Sequence, residues 1–119
     1  MGGAPDVQLR ELSVAGVWEA TPRRIADERG MFHEAFTDPD FRRMTGHRFD
    51  LAQVNVSVSG EGVLRGLHFA EVPPGQAKYV LCPSGTVFDV VVDVRVGSPT
   101  FGEWRRDPRR AGTPGAVHP

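Results

Sequence analysis

An arginine and a histidine interrupt an apolar run in Val63-Leu64-Arg65-Gly66-Leu67-His68-Phe69. Histidine is the side chain whose ordinary pKa best suits proton transfer near neutral pH, so His68 is a candidate acid–base group. A lone histidine in a strand also serves as a satisfied structural residue, and both readings stand on spacing alone. Period-two geometry puts Arg65 and His68 on opposite faces, so the two reach one cavity only if Gly66 bends or bulges the chain. Gln53 and Asn55 share a face with Ser57 and Ser59, which either meets solvent or lines a ligand cavity. Asp89 and Asp93 lie between valines and point together, as functional groups or as members of a polar network. Lys78 is the only lysine beside 13 arginines, so its ammonium is not drawn from a lysine-rich surface.

Other chemistries find less support. His33, His47 and His118 have no spacing that completes a metal-ligand set with His68, so no metal is expected. Cys82 precedes the turn sequence Pro83-Ser84-Gly85 without an evident base, which argues against a cysteine nucleophile. No glycine cluster forms a phosphate-cradling loop before a helix. Arg105, Arg106, Arg109 and Arg110 face only Asp107 in the last fifteen residues, leaving the rest of the chain at about minus four. That cluster lacks interleaved aromatics, a recognition helix or zinc spacing, so nucleic acid is not an expected partner.

The elements that must position these residues are short. Fourteen glycines and ten prolines punctuate 119 residues, a pattern of many strands and turns. The clearest expected strand is 53–59, with Val54, Val56 and Val58 on one face, followed by a Gly60-Glu61-Gly62 turn into 63–69. A second runs 86–96, and weaker ones cover 13–20, 31–36, 77–82 and 100–104. Asp38 is expected to cap one or two helical turns from Pro39 to Met44. The spacing predicts an all-β sandwich or barrel of the jelly-roll kind. With 39% hydrophobic residues, a chain of this length makes one domain that buries roughly two-thirds of its unfolded surface. No apolar run approaches the roughly 20 residues of a membrane helix, no secretion or myristoylation signal opens the chain, and one cysteine fits a reducing compartment. A cytoplasmic protein without membrane association is expected.

Six segments, in order and with the right gaps, resemble the dTDP-4-dehydrorhamnose 3,5-epimerase family: Asp27-Glu28-Arg29-Gly30-Met31-Phe32-His33-Glu34, Gln53-Val54-Asn55-Val56-Ser57, Gly62 to Phe69, Pro74-Gly75-Gln76-Ala77-Lys78-Tyr79-Val80, Gly85 to Asp93, and Gly97 to Trp104. The resemblance covers roughly residues 7–104. It implies a cupin-type jelly-roll, a homodimer, and action without metal or organic cofactor on a dTDP-4-keto-6-deoxyhexose. A C4 ketone acidifies the hydrogens on C3 and C5, so a base removes a proton, an enolate forms, and an acid returns a proton from the other face. By the same matching, His68 is the base and Lys78 stabilises the developing C4 oxyanion. Arg29 and Arg65 match diphosphate-binding arginines. Phe32 and Glu34 match groups that hold the nucleotide base, Gln53 and Asn55 extend the nucleotide and sugar contacts, and Asp89 matches a pocket carboxylate.

Family members run well beyond this length, adding strands, a reprotonating tyrosine and an aspartate that pairs with the catalytic histidine. The expectation is therefore an epimerase-like domain over 1–104, truncated at its C-terminal end with the jelly-roll incomplete. An irregular Arg-, Pro- and Gly-rich tail follows over 105–119, with the composition of a frameshift product. Tyr79 lies beside Lys78 in a different motif and is not assigned the acid role. The alternative function is a non-catalytic sugar-nucleotide-binding or structural remnant of the same fold.

Overall fold

Val7 and Leu9 alternate with Gln8 and Arg10, and in the computed structural model they form the buried side of a strand at the edge of a four-stranded sheet. The structure describes residues 5–71, 75–110 and 115–118, and for 107–110 and 115–118 the backbone alone. Pro74, which opens the fourth family-like segment, lies outside the described residues, as do the side chains of Arg109, Arg110 and His118.

Strand β1 (Val7–Glu11) pairs antiparallel with β2 (Trp18–Pro22), with Leu9 opposite Ala20. The hairpin β3 (Ile25–Asp27) and β4 (Gly30–Phe32) stands as a separate two-stranded ribbon. Helix α1 (Asp38–Thr45) follows, then β5 (Lys78–Val80), β6 (Thr86–Val92), β7 (Trp104–Arg110) and β8 (Gly115–His118). The larger sheet has the order β1-β2-β8-β5, and β6 pairs with β7 in a third sheet. The regular elements of the described chain are thus strands apart from one short helix, in agreement with the all-β expectation.

Helix α1 has the local chemistry that starts and stops a helix. Thr37, not Asp38, is the cap: its hydroxyl accepts from Asp40 N at 3.3 Å. Pro39 occupies the first turn, where its missing N–H costs nothing, and Asp38 and Asp40 face the positive end of the dipole. Gly46, at φ 74°, closes the helix with its N–H on Arg42 O. The Asp40 carboxylate is buried and accepts from Val7 N at 2.8 Å, which fastens the helix to β1. Burial alone would raise its pKa, but the bonds from Val7, Thr37 and Arg43 outweigh it and hold the group below the ordinary value. Phe41 then completes a core with Val7, Leu9 and Ala20, bordered by Trp18, Met44, Phe49 and Tyr79.

Three expectations are corrected. Residues 53–59 and 63–69 form no ladder, and Val54, Val56 and Val58 are 72%, 84% and 89% exposed. Alternation makes the chain extended, but a strand also needs a partner edge, and among the described residues none pairs with this segment. The exposed excursion agrees with a Cα radius of gyration of 15.3 Å, above the about 13.5 Å of a compact chain of this length. The strand expected over 86–96 stops at Val92, because the Asp93 side chain accepts from the backbone N–H of Arg95 and turns the chain.

The irregular tail expected over 105–119 instead supplies backbone to two strands. Residues 104–110 pair with the whole of β6, from Val92 opposite Trp104 to Thr86 opposite Arg110. Residues 115–118 fill the space between β2 and β5. The physical reason is that β6 leaves a row of unpaired backbone groups that any extended segment can satisfy. Pro108 is tolerated in β7 because that strand lies at an edge.

Candidate functional site

The β3–β4 hairpin puts two expected binding residues on one hollow. Its turn is Glu28-Arg29, closed by Gly30 at φ 135°, a conformation that an L side chain rarely adopts. The Asp27 carboxylate accepts from Arg29 N at 2.8 Å and from Arg29 Nη2 at 2.9 Å. The Arg29 side chain and its backbone N–H, in that order, hold the Asp27 carboxyl below its ordinary value. Asp27, Arg29, Gly30, Met31 and Phe32 surround a hollow of about 260 Å³. Arg29 remains largely solvent-facing there, so one side of its fork is oriented by Asp27 and the rest is open to an anion. Glu34 lies just beyond β4 in the exposed connection to α1.

A second hollow, of about 360 Å³, is lined by Phe49, Asp50, Leu51, Ala52, Gln53, Gly75, Gln76 and Ala77. It joins the base of the 51–69 excursion to the residues that lead into β5. Gln53 donates from Nε2 to Asn55 Oδ1 at 3.2 Å, so these two expected contacts form one polar pair. On the return limb, Arg65 donates from Nε and Nη2 to Ser59 Oγ at 3.0 and 2.8 Å, bracing the excursion across its Gly60–Gly62 turn. Gly66, at φ 136°, breaks the alternation between Arg65 and His68. His68 is exposed on this limb, and Lys78 is exposed at the start of β5. Neither side chain lines the two hollows described.

Asp89 and Asp93, expected to point together, have different surroundings. Asp89 is half-buried in the middle of β6. Asp93 is buried beyond the strand end and accepts from Arg95 Nε at 3.0 Å, Arg95 Nη2 at 2.9 Å, Ser98 Oγ at 2.6 Å and Thr100 Oγ1 at 2.6 Å. Arg95 continues to Ala15 O at 2.5 Å, and Thr100 Oγ1 accepts from Ala15 N at 3.1 Å. The side-chain bond from Arg95 dominates, with Ser98 and Thr100 adding to it, and together they hold the Asp93 carboxyl far below the carboxylate range despite its burial. This is a satisfied structural network that ties the 93–102 turn to the 12–17 loop.

Sequence spacing did not single out the aromatic cluster beneath these segments. Phe36, Phe41, Phe49 and Tyr79 stack with centroids 5.3–6.2 Å apart, mostly edge to face. The Tyr79 hydroxyl donates to Ala35 O at 2.5 Å, and burial pushes its pKa up to about 12. The available signal was the adjacency of Tyr79 to the solitary lysine, but its partner lies 44 residues away. Among the described residues, no group of three or more His, Cys, Asp or Glu side chains could hold a metal ion, and no helix is long and apolar enough to cross a membrane.

The family model described as dTDP-4-dehydrorhamnose 3,5-epimerase matches residues 11–107. A dTDP-4-dehydrorhamnose 3,5-epimerase of Mycolicibacterium smegmatis is 65% identical over 95 residues, which cover 80% of this chain and 47% of that protein. Among solved structures, NovW, a 4-keto-6-deoxy sugar epimerase from the novobiocin gene cluster of Streptomyces spheroides, superimposes with a TM-score of 0.88 at 49% identity, covering 98% of this chain and 59% of NovW. ChmJ, a 3'-monoepimerase from Streptomyces bikiniensis in complex with dTDP-quinovose, gives 0.82 at 53% identity over 89% of this chain and 54% of ChmJ. The chain spans about half the length of the curated relatives it matches.

Proposed function

The chain belongs to the dTDP-4-dehydrorhamnose 3,5-epimerase family, and from that premise we propose that it serves epimerisation at C3, at C5 or at both carbons of a dTDP-4-keto-6-deoxyhexose in deoxysugar biosynthesis. The reading is carried by the match over 11–107, a span that contains His68, Lys78 and all seven of the expected binding residues. The sugar nucleotide in the ChmJ complex supports a substrate of this class. Relatives include both 3,5- and 3-epimerases, so the family accommodates inversion at one carbon or two.

In this reading the hairpin hollow receives the nucleotide end. Arg29 and Arg65 bind the diphosphate, for which a planar fork of donors outperforms an ammonium, while Phe32 and Glu34 pack on and hydrogen-bond the base. Gln53 and Asn55 extend along the nucleotide and sugar, and Asp89 contributes a carboxylate to the pocket. Imidazole at position 68 takes the proton from the carbon next to the C4 ketone, contributing on the order of 10²- to 10⁴-fold in rate. The electrons move into the C–C–O system, and the Lys78 ammonium stabilises the enolate oxygen. A proton returned to the opposite face of the same carbon inverts it. The chemistry calls for neither metal nor organic cofactor, because the substrate's own ketone is the electron sink. A cupin-type jelly-roll assembled as a homodimer in the cytoplasm completes the proposal, and the apolar side chains exposed along 51–69 support such an assembly.

The test is incubation with the 4-keto sugar nucleotide in D₂O, read by NMR at C3 and C5. Deuterium at either carbon supports the proposal. No incorporation, with dTDP binding intact, would replace it with the non-catalytic nucleotide-binding alternative.

A further inference from the structure

Three of the segments that carry the residues assigned above enter the body of the protein through one aromatic cluster. The connection bearing Glu34 enters at Phe36, the excursion bearing Gln53 and Asn55 enters at Phe49, and the strand bearing Lys78 enters at Tyr79. Phe36 and Tyr79 meet edge to face at 5.3 Å, and Phe49 contacts both rings at 5.8 and 6.2 Å. Phe41 of α1 anchors the cluster to the Val7, Leu9 and Ala20 core.

Stacked rings alone leave the segments free to slide, because apolar contact is not directional. One polar bond removes that freedom: the Tyr79 hydroxyl donates to the carbonyl of Ala35, the residue after Glu34. Alternation along β5 places the side chain of Lys78 on the face opposite Tyr79, and Lys78 is exposed where Tyr79 is half-buried. The backbone of the lysine strand is thereby referenced to the backbone of the glutamate connection.

We propose that Tyr79 is a positioning residue, whose hydroxyl fixes the Lys78 strand against the Phe32–Glu34 segment and so sets where the ammonium stands relative to a bound nucleotide. The assignment rests on the function proposed above. The ketone and the thymine base belong to one substrate, and a donor held about 1 Å out of place can forfeit on the order of 100-fold in rate. The sequence disguises this role, because a tyrosine beside a catalytic lysine invites assignment as the proton donor. A hydroxyl already donating to a backbone carbonyl is instead committed to that bond.

Tyr79→Phe keeps the ring and removes only the hydroxyl. Amide hydrogen exchange is expected to accelerate about tenfold in β5, which is paired with β8, and to stay unchanged in β1, the change that follows loss of one ordinary hydrogen bond. In the D₂O assay kcat is expected to fall about tenfold while KM and the dissociation constant for dTDP stay within about twofold. Val14→Ala, which opens a buried site outside the cluster, provides a destabilised control and is expected to leave both readouts as in the parent. Unchanged local exchange in Tyr79→Phe overturns the tie. Faster exchange with an unchanged kcat, or a kcat lost equally in Val14→Ala, overturns the positioning role. If the parent protein itself incorporates no deuterium, the epimerase reading and the positioning role fall together, and the hydrogen-exchange result still decides whether the tie exists.

Discussion

Replacing Asp93 by Asn tests how the 93–102 turn is held against the 12–17 loop. The Asp93 side chain is fully buried and accepts from two nitrogens of the Arg95 guanidinium, the backbone N–H of Arg95 and the hydroxyls of Ser98 and Thr100. Asparagine has nearly the same shape, but it carries no charge and turns an NH₂ toward groups that are themselves donors. Removing one partner of a buried, hydrogen-bonded ion pair costs about 3–5 kcal/mol. The Arg95 side chain is 36% exposed and regains some hydration, so the low end applies, about 3 kcal/mol. Set against a total stability of about 5–15 kcal/mol for a domain, that is a large fraction. With an m-value of about 1.5 kcal/mol per M, the urea midpoint followed by far-UV circular dichroism falls by about 2 M. The pH dependence has a definite sign. Asp93 is held below its unfolded pKa, so its contribution is complete above about pH 4 and is lost as acid protonates the carboxyl in the folded state. The parent protein should therefore lose stability more steeply below pH 4 than Asp93→Asn. A midpoint shift under about 0.5 M, or parallel acid profiles, would refute this account of the network.

Two further outcomes follow from local geometry. Thr37→Ala removes the hydroxyl that accepts from Asp40 N and should cost about 1 kcal/mol in the same urea titration, whereas Thr37→Ser should restore most of it. Arg29→Ala should weaken dTDP binding by about 10- to 100-fold in calorimetry, as loss of charge-assisted hydrogen bonds to a diphosphate demands. It should leave the melting temperature nearly unchanged, because the Arg29–Asp27 pair is solvent-exposed.

The residues differ in how much of this could be read in advance. Pro39 and the flanking acidic residues marked the start of α1 to within one position, because helix caps are local chemistry. The cap itself is Thr37, whose hydroxyl competed with the equally suitable Asp38 side chain. Val54, Val56 and Val58 announced a strand that does not form, because period-two alternation carries no information about which edge, if any, will pair with it. Residues 104–110 showed the converse. Their arginines and Pro108 read as irregular, yet the unpaired edge of β6 recruited them. Asp89 and Asp93 looked equivalent by spacing, and the difference arises from Ser98, Thr100 and Ala15, which only the folded chain brings to Asp93. Arg29 and Phe32 were singled out by their motif alone; the β3–β4 hairpin that brings both to one hollow was not expected, and the strand read over 31–36 ends at Phe32.

The central claim is proton abstraction by the imidazole at position 68, and isotope exchange with His68→Ala beside the parent protein tests it most directly. The account predicts deuterium at C3 or C5 of the sugar with the parent protein, and at least a 100-fold slower rate in the variant, with dTDP binding retained. Equal exchange rates in the two proteins would contradict it.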